Sequence, residues 1–407
     1  MNSKGVILTQ NSGSTFRGIL LVSGTSIGGG MLALPVLTSL GDFLPSLAVY
    51  FFCWLFMACT GLLFLEISLW MHKDANIVSM SERTLGSCGK TFAWILYLFL
   101  FYSLSIAYIV GCGDLVSQLF KNQISDWIAP FLFVLCFAPI VFIGTRFVSK
   151  INVVFMIGLA VSFFTFLILG SGFVKKELLL DHNWSKSLLA LPIAFTSFAY
   201  QGIIPTLVSD MNYDVKRTRK AILIGSFIPL ITYTVWQWLI QGIVPTEGPG
   251  GLAEALANGN NAVQPLKNFI NTPLVYIVGQ YFAFFALVTS FFGVTLGLMD
   301  FLADGLKIKK TVSGKFLLCL IIFIPPLLIS YTYPHIFLTA LDYAGGYGCA
   351  LLLGLLPVLM VWSARYRLGM KSPYTFPGGK AALLFLAAFV IFEIVLELRK
   401  TIGHFQG

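Results

Sequence analysis

The chain strings together apolar runs, each about as long as a bilayer is thick and nearly empty of ionisable side chains. A helix needs about 20 apolar residues to cross the hydrocarbon core. Lipid offers no partner to an open backbone group, so repeated runs of that length dictate a bundle of helices. A β-barrel would show alternating segments of about ten residues instead. Composition agrees: of 407 residues, 57% are apolar and only 11% charged, against roughly a quarter charged in soluble domains. Mean hydropathy is +0.86.

The runs predict eleven spans, near 17–39, 43–71, 91–119, 127–144, 150–173, 187–209, 219–243, 273–299, 315–332, 335–362 and 380–400. No cleavage site follows the first run, so it is expected to stay as a span. Basic residues in the loops set the orientation. With the N-terminus cytoplasmic, 19 of the 26 fall inside, among them Lys4, Lys73 and the clusters at 216–220 and 307–315; the other 7, Lys121 among them, fall outside. The net charge of +9 is therefore topology, and no nucleic-acid partner is expected. The loop 244–272 lies outside, with a short amphipathic segment around Leu252–Leu256. Cys53, Cys59, Cys136, Cys319 and Cys349 sit in apolar stretches and read as small core residues. His72, His182, His335 and His404 are scattered, with no metal-binding pair. No metal centre or cofactor is expected.

Two runs are interrupted. Gly24-Thr25-Ser26-Ile27-Gly28-Gly29-Gly30-Met31 is followed by Pro35, and Phe195-Thr196-Ser197-Phe198-Ala199-Tyr200-Gln201-Gly202 by Pro205. Each glycine costs a helix about 1 kcal/mol, and proline removes a ladder bond. Irregular backbone at membrane depth is tolerated where it lines a cavity or is sealed by protein. A glycine-rich packing face and a proline kink would explain either break alone. Paired breaks in corresponding spans point to a transporter site. Spans one to five (about 17–173) and six to ten (about 187–362) then form two repeats, inverted because each holds an odd number of spans, and the last span (about 380–400) is an appendage. Half-helix amides suit a carboxylate and freed carbonyls an ammonium or a cation.

GTSIGGGMLALP, FTSFAYQGIIPTLVSDM, IGSFIPLITYTVWQ and ALVTSFFGVTLGLMDFLAD resemble the hydroxy/aromatic amino acid permease family, particularly its tyrosine and tryptophan permeases, within the amino acid/polyamine/organocation superfamily. The resemblance runs through nearly the whole chain. It implies a single all-α transporter domain in a bacterial inner membrane, C-terminus periplasmic, with a five-plus-five inverted repeat, broken helices one and six, and proton-driven uptake of aromatic amino acids. By the same resemblance Gly28, Gly29 and Gly30 meet the substrate carboxylate, with Thr25 nearby, and Phe195, Thr196 and Ser197 offer carbonyls to its ammonium. Phe198 and Tyr200 face the side chain, with Tyr102 or Tyr108 opposite. In sodium-coupled relatives of this fold, positions matching Gly24, Ile27, Ala286, Thr289 and Ser290 surround the ion. Membrane hydroxyls often bond their own backbone instead, so proton and sodium both stay open.

Charges at bilayer depth are functional candidates. Glu66, near the cytoplasmic end of span two, needs a partner or a proton. Asp342 is a gate residue or stands in a solvated outer vestibule, and Asp114 has similar standing. Asp210, Asp214, Asp300 and Asp304 are inner-gate or interface charges. Glu393 and Glu397 read as interface pairing with Lys400. A membrane enzyme would need an acid–base or metal cluster, and a channel a repeated pore ring; neither motif stands out. A sensor on the transporter fold is separated from a carrier by flux alone. A serine or threonine permease is the alternative within the family. A pocket without a partner for the phenol hydroxyl would discriminate poorly between tyrosine and tryptophan.

Overall fold

The computed structural model describes residues 14–71, 75–120, 123–125, 127–181 and 183–405. Lys4, Lys73, Lys121, His72 and His182 lie outside them, as does the side chain of His404. The described residues are helical, with no strand among them. Helix one is Thr15–Ser26 and Gly30–Leu37, helix two Phe43–Leu69, helix three Ile77–Leu119, helix four Ile128–Ile143 and helix five Thr145–Gly170. Helix six is Leu191–Ser197 and Ile204–Asp210, helix seven Val215–Ile243, helix eight Pro273–Gly305 and helix nine Val312–Thr332. Helix ten runs through Phe337–Tyr343, Ala344–Leu355 and Leu356–Tyr366, and helix eleven is Gly379–Phe405.

Nine described segments are long and apolar enough to cross a membrane, and ten if the two halves of helix one count as one span. Helix four has 16 residues, about 24 Å at 1.5 Å per residue, short of a core about 30 Å thick. The expected count of eleven therefore comes down to ten crossings by length and one shorter helix.

Helix ends follow side-chain caps as well as the apolar runs. Asn76 and Ser79 form a capping box that starts helix three well before the expected residue 91. Gly86, with φ of 76°, breaks the helical path inside it, so the segment before the apolar run is a separate helical piece. The Asp214 carboxylate accepts from the Arg217 amide at 3.0 Å and starts helix seven four residues early, while Thr311 caps helix nine.

Helix one packs along helix seven and helix eight along helix five, with helix three against helices eight, four and ten. Helices five, nine and eleven form the periphery, with under a third of their most apolar windows buried. At the end of the bundle holding Gly41, backbone groups join the loops to the helices. The Ala262 amide donates to Leu32 (2.9 Å), that of Asn183 to Gly41 (3.2 Å) and that of Lys175 to Gly242 (2.7 Å). The expected loop segment is a helix, Leu252–Ala257, with Leu252 and Ala255 buried.

In helix ten, Ala344–Leu355 is π-helical over 12 residues, whereas π-helix usually occurs as single turns, often at functional sites. Its glycines let three neighbours approach. A Cβ on Gly345 would strike the Pro192 carbonyl of helix six, one on Gly346 the Cγ of Glu397 (2.8 Å), and one on Gly348 Leu100 of helix three (3.0 Å).

Candidate functional site

Helix one bends by 53° at residues 27–29. The three glycines there owe their place to space. None has a positive φ, but each faces a different wall. A Cβ on Gly28 would strike Ser290 Oγ of helix eight. One on Gly29 would lie 2.5 Å from the Tyr108 ring of helix three, and one on Gly30 2.9 Å from Ser197 Oγ of helix six. The Gly29 amide donates to Ser290 Oγ at 2.8 Å. The walls that leave no room for a side chain here, Ser290, Tyr108 and Ser197, also line the cavity.

Helix six stops at Ser197 and resumes at Ile204 through a 3-10 turn. Gln201, fully buried, folds back so that its carbonyl accepts from the Tyr200 amide (2.9 Å) while its amide nitrogen donates to Thr60 Oγ1 (3.0 Å). Tyr200 Oη donates to the Met57 carbonyl at 3.1 Å, and the ring packs on Gly61. Helix two thereby holds the break open. Tyr233 of helix seven reaches both breaks: its hydroxyl is 2.6 Å from the Ser26 carbonyl and 2.8 Å from that of Ser197. Nothing in the local sequence around Tyr233 signals this, because its partners are 207 and 36 residues away.

Both breaks open into one cavity of about 630 Å³, within the roughly 300–1,000 Å³ of small-molecule sites. Gly24, Thr25, Ile27, Gly28, Gly30, Thr196, Ser197 and Tyr200 line it, with Tyr108, Tyr97 and Phe101 of helix three and Thr289 and Ser290 of helix eight. Two polar atoms of its lining residues, Ser197 Oγ and Asn152 Oδ1, are buried with no hydrogen-bond partner among the described residues. Buried polar groups are nearly always paired, so these two are available to a ligand. From the breaks the cavity extends along Leu20, Leu21 and Gly297, towards the end of the bundle holding Thr15 and Gly305. A second, more polar cavity of about 580 Å³ lies at the opposite end, where Asp114 and His335 face Glu254 and Lys267 of the loop.

Several expected site residues lie elsewhere. Tyr102 turns away and donates to the Ile321 carbonyl of helix nine at 2.8 Å, leaving Tyr108 as the ring opposite helix six. The Phe195 ring is buried between Phe56 (5.1 Å) and Phe389 (6.1 Å). Phe198 packs between Tyr50 and Tyr233 rather than on the cavity. Thr25, exposed on the cavity wall, donates to its own Leu21 carbonyl at 2.7 Å. Thr289 likewise donates to Phe285 (2.7 Å) and Ala286 (3.2 Å), the back-bonding common among membrane hydroxyls. Glu66 has a partner: Arg365 grips both its carboxylate oxygens, and the Phe376 amide donates to it at 2.7 Å. This clamp joins helix two to helix ten and the following connection, away from the cavity. Among the interface charges, Asp214 pairs with Arg217 and Asp300 with Lys310.

A helical bundle with a ligand-sized cavity at two broken helices defines a multi-pass membrane transporter. The solved structure of MhsT in complex with L-phenylalanine shares the fold, with a TM-score of 0.67 over 95% of this chain and 98% of that one at 17% identity. The model of the tryptophan/tyrosine permease family matches residues 11–397, and the chain belongs to that family. It is 34% identical to tyrosine-specific transport system 1 of Haemophilus influenzae over 93% of this chain and 94% of the relative. The tryptophan-specific transport protein of the same organism is 30% identical over 98% and 99%. The low affinity tryptophan permease of Escherichia coli strain K12 is 28% identical over 95% and 94%. These relatives are named as transport proteins, and the membrane-enzyme reading falls with that.

Proposed function

We propose that the chain imports aromatic amino acids, tyrosine and tryptophan among them, across a bacterial inner membrane, as a symporter driven by the proton gradient and working by alternating access. The observation that carries this reading is the single cavity into which both breaks open and which Tyr97, Phe101 and Tyr108 of helix three line. Aromatic walls hold an aromatic side chain through edge or offset contacts. The Ser197 and Asn152 oxygens suit an ammonium, and the Gly29 amide, now on Ser290, suits a carboxylate once released. With the N-terminus cytoplasmic and the C-terminus periplasmic, the cavity opens inward while the stitched Gly41 end is shut. Moving the bundle containing helices one and six against the rest would exchange the two openings. Each of the two repeats, about 17–173 and 187–362, would contribute one broken helix to that bundle.

Uptake of radiolabelled tyrosine into proteoliposomes tests the reading, with proton and sodium gradients imposed separately and tryptophan, phenylalanine and serine as competitors. Accumulation on a proton gradient, blocked by the aromatic competitors, is expected. Accumulation on sodium alone would move the coupling to the Gly24, Ile27, Ala286, Thr289 and Ser290 group. Uptake of serine in place of tyrosine would move the function to the hydroxy amino acid branch, and binding without flux would make the chain a sensor.

A further inference from the structure

The last helix carries a buried cluster of ionisable side chains. Glu393, Glu397 and Lys400 lie on one face of helix eleven, spaced four and three apart, and that face turns inward against helix ten. Glu393 is 0% exposed and Glu397 1%, the reverse of the interface pairing expected. Lys400 makes its close ion pair with Asp342 of helix ten and stands 3.9 Å from Glu397. Among the described residues both carboxylate oxygens of Glu393 lack a hydrogen-bond donor, and one would lie 3.3 Å from a Cβ on Gly346. From the neighbouring elements Asp342, Tyr343, Tyr347 and Cys349 of helix ten and Cys53 of helix two face the group. Tyr347 Oη is hydrogen-bonded to Thr401. Among the described residues Lys400 is the cation that faces these three carboxylates.

Lys400 is engaged by Asp342, and among the described residues neither Glu393 nor Glu397 receives a hydrogen bond on either carboxylate oxygen. An ionised carboxylate without a donor is too costly at this depth to persist, and the small group that neutralises it without added volume is a proton on oxygen. The closeness of Gly346 and Gly348 to their neighbours leaves no room for more.

We propose that Glu393 and Glu397, with Asp342 and Lys400, form the site that carries the co-transported proton. This rests on the proton-driven reading given above. Binding converts a carboxylate to a carboxylic acid, and release to the other side returns it to the carboxylate, so one charge crosses per proton carried. The site lies towards the Gly41 end, the outer end in the orientation proposed, where an imported proton enters. Its link to substrate is helix ten. Gly346 of the π-helical stretch touches Glu397, while Cys349, Leu352 and Leu353 of the same stretch wall the substrate cavity. One residue before Asp342, the Leu341 carbonyl accepts from Thr196 of the cavity wall at 2.8 Å. On the other side Phe389 of helix eleven stacks on Phe195 of helix six. A change of charge on the cluster therefore acts on a helix that borders the substrate.

The test uses the full chain in proteoliposomes, comparing the wild type with Glu393→Gln and Glu397→Gln in two assays: accumulation of labelled tyrosine on a proton gradient, and exchange of labelled for unlabelled tyrosine with no gradient. Exchange at the wild-type rate with loss of accumulation in the variants is expected. Wild-type accumulation in both variants overturns the site. Failure of the wild type itself to accumulate on a proton gradient overturns the coupling reading beneath it, which separates the two. If the glutamine variants lose exchange as well, infrared difference spectra of the wild type between acid and alkaline buffer decide. A protonated-carboxyl band that shifts when Asp replaces Glu393 supports the site, and its absence overturns it.

Discussion

The hydroxyl of Tyr233 stands 2.8 Å from the carbonyl oxygen of Ser197, and its one proton is shared with the Ser26 carbonyl at 2.6 Å. A single side chain from helix seven thus ties together the ends of both broken helices.

Tyr233→Phe removes that donor and leaves two buried carbonyls short of a partner. The loss should be about 1–3 kcal/mol, seen as a lower melting temperature in detergent, together with slower tyrosine uptake. Unchanged melting and uptake would mean the tie carries no load.

Gly29→Ala places a methyl group 2.5 Å from the Tyr108 ring, a cavity wall, so the ring must shift. Uptake should be abolished while the protein still reaches the membrane, as judged by membrane fractionation and immunoblot. Normal uptake by this variant would remove the helix-one break from the substrate site.

Tyr108 and Tyr102 separate a cavity wall from a packing contact. Tyr108→Ala should weaken tyrosine binding, measured by scintillation proximity. Tyr102→Phe loses only its bond to Ile321 and should cost about 1 kcal/mol of stability with binding unchanged. The opposite pattern would reverse the assignment.

Glu66 and Arg365 are a buried pair, 1% and 10% exposed. Arg365→Ala leaves an unpaired carboxylate, at a cost of about 3–5 kcal/mol. Glu66→Gln should melt earlier yet keep proton-driven accumulation at temperatures where it is folded. Loss of gradient dependence with normal melting would return Glu66 to the coupling machinery.

What the sequence could reveal divides by range. The break at Gly28–Gly30 was legible because three glycines and Pro35 violate helix propensity within little more than two turns. The spans were legible because lipid demands length. Helix three was mistimed because capping by Asn76 and Ser79 starts a helix where the apolar run has not yet begun. Tyr102 and Tyr108 are six residues apart, about 120° around a helix, so at most one of the pair was going to face the breaks squarely, and no local signal said which. The spacing of Glu393, Glu397 and Lys400 was visible, but its meaning depended on Asp342 and Gly346, some 50 residues upstream and silent until helix ten is folded against helix eleven. Tyr233 and the Ser197 hydroxyl were missed for the same reason.

The stitches at the Gly41 end run between main-chain atoms, Ala262 to Leu32 and Asn183 to Gly41 among them. A closure built this way is indifferent to the chemistry of the side chains around it. The exposed positions of loop 244–272 are therefore free to vary in charge and bulk for other purposes, such as screening what enters the polar chamber beside it, while the main-chain stitches of the seal keep their strength. The residue to which it is sensitive is proline, which deletes the donating N–H.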